Sequence, residues 1–189
     1  MSTMYEKIIE VLEKQGPTNL VNLYEELNRQ CKDRDHQEST IAMSSIKSVL
    51  SRKKDLFHVN EDIVSINPEK EIKKLIIEYR KNSYQTFSIH IDFFRESYVI
   101  QEWSLRRIVS PPVFKNVQPE QYKLLKRDLY RLKVWDWEKE NIIDAAFIIH
   151  LQTLNSTYTY KSHELETDKW KQMKKILSIF TDLDRLNSI

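Results

Sequence analysis

The chain has 189 residues, of which 40% are hydrophobic and 31% charged, so it can bury a core and is not expected to be disordered. Its 30 Lys and Arg nearly balance its 28 Asp and Glu, and a net charge of +2 does not by itself indicate a nucleic-acid partner. Gly16 is the only glycine, which excludes the glycine-rich loops that bind nucleotide phosphates. We therefore expect no cofactor.

The sequence also predicts a compartment. Cys31 is the only cysteine, so no intramolecular disulfide can form and a reducing environment is expected. The first residues lack the apolar core of a signal peptide, and the longest apolar runs are too short to span a bilayer. We expect a cytoplasmic protein with no membrane partner. The many Lys, Ile, Asn and Tyr residues are typical of AT-rich genomes and indicate a bacterial or phage source.

Three helices and a hairpin are predicted in the first third of the chain. The apolar positions at helical spacing are Tyr5, Ile8, Ile9 and Leu12, then Leu20, Leu23, Tyr24 and Leu27, then Met43, Ile46, Val49 and Leu50. Gly16-Pro17 ends the first helix, whereas Asn19 and Thr40 can cap the second and third. Two β-prone runs, 56–59 and 63–66, flank an Asn/Asp turn and predict a hairpin.

This order resembles the winged-helix domain of bacterial RNA polymerase delta subunits and of related restriction- and chromatin-associated proteins. The residues that carry the resemblance are Ile46-x3-Leu50, Lys53-Lys54-Asp55, Leu56-Phe57 and Ile63-x-Ser65-Ile66. The family usually has a glycine in the wing, where this sequence has Asn60-Glu61-Asp62. The resemblance implies a winged-helix domain, three helices plus a β-hairpin wing, over residues 1–67.

The remaining residues predict a connecting helix and a second domain. Asn67-Pro68 is typical of a helix start, and Ile72, Leu75, Ile76 and Tyr79 share one helical face, so 68–82 is predicted as a connecting helix. Residues 83–189 are predicted to form a small β-β-α-β-β-α domain. Its strands are placed over 87–94, 99–109, 145–154 and around 158–160, and its helices after Pro119 and around Trp170. The predicted fold class is α+β.

This second domain faintly resembles an uncharacterised small bacterial α+β domain. In that domain an Asp-Gly-x-x-Trp strand follows a tryptophan-bearing turn. The corresponding residues here are Asp144-Ala145-Ala146-Phe147, without the Gly and the Trp. The resemblance therefore implies the fold alone.

The predicted third helix carries the main functional candidates. Its outward and terminal residues are Ser44, Ser45, Lys47, Ser48, Ser51, Arg52, Lys53 and Lys54, and Asn60 joins them from the wing. Small hydroxyls permit close approach to double-stranded DNA, and Lys and Arg neutralise phosphates. Arg52 is the only arginine in this set, and arginine can pair bidentately with guanine. We expect a non-enzymatic, DNA-binding regulator or accessory protein of transcription.

A second hypothesis stays open. Residues 1–68 contain nine basic and eleven acidic residues, and a DNA-binding domain is usually basic. The protein could instead be a protein–protein interaction adapter, in a transcription or phage-defence complex, without DNA contact. Under the DNA-binding hypothesis, the second domain is expected to dimerise or to bind a partner.

Other candidate sites are weaker. A second basic set follows Pro119 (Lys123, Lys126, Arg127, Arg131 and Lys133) and a third is near the end (Lys169, Lys171, Lys174 and Lys175). Such charge runs opposite an apolar stripe usually form a solvated surface. His90, Asp92 and His150 have no metal-ligand spacing. Asp92 and Glu102 lack the nearby lysine of a metal-dependent nuclease. We therefore predict neither a metal site nor catalytic residues.

Overall fold

The computed structural model describes residues 3–34, 40–82, 85–104, 107–110, 117–137, 145–163 and 168–178. The protein is a mixed α+β structure, which confirms the predicted class. The chain divides into two compact units, Met1–Glu71 and Ile72–Ile189. Among the helices in the described ranges, none combines the length and apolar character needed to cross a membrane.

In its described residues, the first unit consists of three helices and three short strands. In chain order these are α1 (Met4–Gln15), β1 (Thr18–Asn19), α2 (Leu20–Arg34), α3 (Met43–Arg52), β2 (Phe57–Asn60) and β3 (Ile63–Ile66). The strands form an antiparallel sheet in the order β1-β3-β2. Strand β1 was not predicted, because two residues are too few to show a periodicity.

Helices α1 and α2 are bounded by residues whose local chemistry favours a helix end. The backbone N–H of Thr3 donates to the carboxylate of Glu6 at 2.8 Å before α1. Gly16, with φ of 76°, ends α1 in a region that favours glycine. The N–H of Val21 donates to Oδ1 of Asn19 at 2.8 Å, so the predicted cap of α2 is confirmed. The apolar sides of the helices then meet in a core in which Ile8, Leu23, Leu27 and Ile46 are fully buried.

Over the ranges that the structure describes, the second unit is a six-stranded sheet with two α-helices. Its elements are β4 (Ile72–Asn82), β5 (Gln85–Asp92), β6 (Ser97–Ser104), β7 (Arg107–Ser110), α4 (Pro119–Leu132), a 3₁₀ turn (Val134–Asp136), β8 (Phe147–Thr153), β9 (Thr157–Ser162) and α5 (Asp168–Leu177). All neighbouring strands pair antiparallel, in the order β7-β6-β5-β4-β8-β9. The single strand predicted over 99–109 is wrong, because the chain reverses within it and Ser104 pairs with Arg107.

The connecting helix predicted over 68–82 is wrong. Asn67 accepts the N–H of Glu69 at 3.0 Å, as a helix cap would, but only a turn over 68–70 follows and β4 begins at Ile72. Leu75, Ile77 and Tyr79 alternate along β4 and are buried, and a bulge between Ile72 and Lys74 brings Ile72 onto the same face. The same apolar residues therefore also fit the buried face of a strand. This strand forms hydrogen bonds with β5 on one side and with β8 on the other.

The two faces of the large sheet have different roles. The inner face packs against both helices: the rings of Phe147 and Trp170 lie 4.9 Å apart, centroid to centroid, which joins β8 to α5. On α4, the hydroxyl of Tyr130 accepts the backbone N–H of Ile72 at 3.3 Å, which joins this helix to β4. The outer face mixes polar and apolar side chains, and most of its described residues are at least partly exposed, although Ser88 is buried. A partly solvated face is usual for antiparallel sheets.

Candidate nucleic-acid interface

Helix α3 is held in place from α2 by one amide side chain. Oδ1 of Asn28 accepts the N–H of Ile41 at 2.7 Å, and its Nδ2 donates to the carbonyl oxygens of Tyr24 at 3.0 Å and Ile41 at 3.3 Å. The predicted cap, Thr40, is wrong: α3 starts after Ala42, without a side-chain cap, and Thr40 is exposed. Asn28 therefore ties the segment just before α3 to α2, and no side chain caps the start of α3.

The two sides of α3 are sharply different. Ile46 and Leu50 are buried, and Met43 and Val49 are half-buried against the rest of the unit. The predicted contact residues of the helix are all exposed: Ser44, Ser45, Lys47, Ser48, Ser51 and Arg52. None of them is covered by the described part of the chain, so the whole outward side is accessible to a partner.

The charge of this segment differs from that of its surroundings. Residues 43–54 contain four basic residues and no acidic residue, whereas the unit 1–71 contains ten basic and thirteen acidic residues. The positive charge is therefore local to α3 and the turn after it. A local cluster of this kind can neutralise phosphates even though the unit as a whole is acidic.

The cations at the end of α3 are not equivalent. Nε of Arg52 donates to the carbonyl oxygen of Ser48 at 3.3 Å, and the side chain is exposed. Nζ of Lys53 lies 5.3 Å from the centroid of the Tyr5 ring, a cation–π contact worth about 0.5–1 kcal/mol at an exposed site. Lys54 is exposed. Lys47, Arg52 and Lys54 are thus the cations best placed for an external anion.

The hairpin carries acidic residues beside the predicted contact residue Asn60. Asn60 is exposed at the far end of β2, about 10 Å along the strand from Phe57, where the chain leaves the turn after α3. The turn beyond it carries two exposed acidic residues, Glu61, with a left-handed φ of 53°, and Asp62. Because carboxylates repel phosphates, the tip of the hairpin is unsuited to a DNA backbone.

The histidines and carboxylates that the sequence places in the large sheet lie at separate positions. His90 and His150 both neighbour Ile76 on the outer face, so a strand lies between them. Burial lowers the pKa of His90, and the Glu78 carboxylate acts in the opposite direction. Asp92 shares their face, but Glu102, which pairs with Phe87, projects to the other one. Across the residues that the structure describes, no three His, Cys, Asp or Glu side chains are grouped as metal ligands would be.

Two residues near the interface were missed by the sequence analysis. Asn28 positions α3 through contacts thirteen residues along the chain, so no local pattern could reveal it. His58 is exposed and lies on the same side of β2 as Asn60, which the alternation of a strand could have shown.

Comparisons with known proteins found no counterpart for this chain: no family model, no curated protein and no solved structure matches it.

Proposed function

We propose that the protein is a non-enzymatic, DNA-binding regulator or accessory protein that acts through its first unit as a winged helix. The order α1-α2-α3 followed by the β2-β3 hairpin supports this proposal, as does the third strand, β1, beside β3. In such a domain the third helix enters the major groove. The hairpin would then lie beside the DNA with its acidic tip turned away.

The observation that carries this proposal is the outward side of α3. Four exposed serines let the helix backbone approach a groove closely, and Lys47, Arg52 and Lys54 supply positive charge without a carboxylate in the helix. Lys and Arg at phosphates provide affinity, whereas Arg52 has the donor geometry that reads guanine. The protein would bind many sequences through its lysines and discriminate among them through Arg52.

The direct test uses duplex DNA of random sequence and fluorescence anisotropy over a range of salt concentrations. The α3 variant replaces Lys47, Arg52 and Lys54 with Gln, which retains the helix and the Lys53–Tyr5 contact. Loss of three phosphate contacts should make the slope of log Kobs against log salt shallower by about 2.7 and weaken binding at low salt. A matched control removes three dispersed charges, by Lys14→Gln, Arg29→Gln and Lys74→Gln, and should bind as the wild type does.

A second candidate function is a protein-interaction adapter, and one observation favours it. Val59 and Ile63 of the hairpin are 47% and 46% exposed, next to the acidic Glu61 and Asp62. This mixture of apolar and acidic side chains fits a protein surface better than it fits phosphates. If the wild-type protein does not bind duplex DNA even at low salt, the DNA proposal is wrong and the adapter remains.

A further inference from the structure

The two helices of the second unit carry an excess of positive charge that the proposed function does not use. We define the cationic helix layer as residues 119–136, with α4, and 168–177, with α5. The first segment contains five basic and three acidic residues, and the second contains four basic and one acidic. Residues 72–189 contain 20 basic and 15 acidic residues, so the layer accounts for the whole net charge of its unit.

Packing holds these cations on one side of the unit. Leu125 and Leu129 of α4 and Met173 and Leu177 of α5 are fully buried toward the inner face of the sheet. Since both helices cover that same face, their opposite sides point in the same direction. Lys123, Arg131, Lys171 and Lys175 are exposed there. The layer is therefore a single cationic surface and not two unrelated ones.

Internal ion pairs neutralise only part of this surface. Asp128 is shared by Arg131, at 3.3 Å, and Arg127, at 3.8 Å, so one carboxylate faces two guanidiniums. Asp168 lies 3.9 Å from Nζ of Lys171, and Asp136 lies 3.9 Å from Nζ of Lys133. Within the described ranges, the ammonium groups of Lys123 and Lys175 have no ion-pair partner. A net positive charge thus remains for an external anion.

We propose that the cationic helix layer is a second nucleic-acid contact, one that binds the phosphate backbone without reading sequence. Lys123 and Arg131 on α4 and Lys171 and Lys175 on α5 are exposed, and several cations on one surface suit a repeating anionic polymer. An anionic membrane is less suited, because Leu124, at 39% exposure, is the one exposed large apolar residue of the described helix layer, and interfacial helices need a broad apolar side. The proposal does not require α3 to contact DNA.

The test is carried out on the full chain. The layer variant combines Lys123→Gln, Lys171→Gln and Lys175→Gln, all at exposed positions where glutamine retains the helix. With random duplex DNA, we expect the salt slope to become shallower by about 2.7 for three lost phosphate contacts. Replacement of the same three lysines by arginine keeps the charge and should leave the slope unchanged. The dispersed control described above should also leave it unchanged.

The outcomes separate the two proposals. If the layer variant binds as the wild type does while the α3 variant is weakened, the layer proposal is wrong and the α3 proposal stands. If the layer variant binds DNA more weakly and the α3 variant binds as the wild type does, the α3 proposal is wrong and the layer proposal stands. Sedimentation with vesicles that contain phosphatidylserine is the last measurement. Layer-dependent binding to vesicles in the absence of DNA binding would overturn the nucleic-acid assignment in favour of a membrane surface.

Discussion

Strand β4 allows the architecture of the second unit to be tested with two adjacent isoleucines. Ile77 is 1% exposed and lies in register between Ile89 and Ile149 on the inner face of the sheet. Truncation to Ala removes methyl and methylene groups from a packed core, which costs about 2–5 kcal/mol in the free energy of unfolding. Ile76 is half-exposed on the outer face between His90 and His150, so Ile76→Ala should cost about 1 kcal/mol or less.

The comparison separates a strand from a helix. A helix over 68–82 would bury Ile76 together with Ile72, Leu75 and Tyr79 and would expose Ile77, so it predicts the opposite ranking. All four tryptophans lie in residues 72–189, and tryptophan fluorescence during urea unfolding therefore reports on this unit. If Ile76→Ala destabilises the unit as much as Ile77→Ala does, the strand assignment and the two-sided sheet are refuted.

Two further predictions concern single hydrogen-bonded side chains. Burial would raise the pKa of Asp92, but the N–H of Arg95 and the Lys74 ammonium, 3.3 Å away, outweigh it and lower the pKa. The native pKa of Asp92 therefore lies below its unfolded value of about 3.9. The ionised carboxylate stabilises the folded protein at pH values above about 3.9, and this contribution is lost as the pH falls through the native pKa. In urea unfolding at a series of pH values from neutral to acid, the free energy of unfolding of the Asp92→Asn variant should fall less than that of the wild type, and Asp136→Asn serves as the control. The prediction is contradicted if the Asp92→Asn variant loses as much stability in acid as the wild type does. Asn28→Ala should cost about 1–3 kcal/mol, because it leaves backbone groups at the start of α3 unpaired, and it should weaken DNA binding. Unfolding followed by circular dichroism and DNA binding followed by anisotropy test this prediction, with Asn22→Ala, at an exposed position on the same helix, as the control. If Asn22→Ala has the same effects as Asn28→Ala, Asn28 does not position α3.

Much of the first unit could be predicted from the sequence because the apolar residues of its helices recur at helical spacing. Ile46 and Leu50 are buried and Ser44, Lys47 and Ser48 are exposed, as spacing along a helix requires. The candidate contact residues of α3 could be identified for the same reason. The error at Thr40 arose because a cap was expected from local sequence, whereas Asn28 supplies the contact from another helix.

The second unit shows where a local pattern is insufficient. Ile72, Leu75 and Tyr79 satisfy a helical stripe and, with one bulge, a strand as well. The decision depends on hydrogen bonds to β5 and β8, which are distant along the chain and invisible in any short window. The gathering of the α4 and α5 lysines on one surface likewise depends on both helices packing against the same face.

The sequence by itself determined the α+β class and the two sides of α3, because side-chain periodicity is a local property that each helix expresses on its own. Only the tertiary structure decided that residues 72–82 form the centre of a sheet, since a strand is stable only with neighbours to complete its hydrogen bonds. It also decided which cations share a surface, because segments that are far apart in the chain become neighbours only through packing.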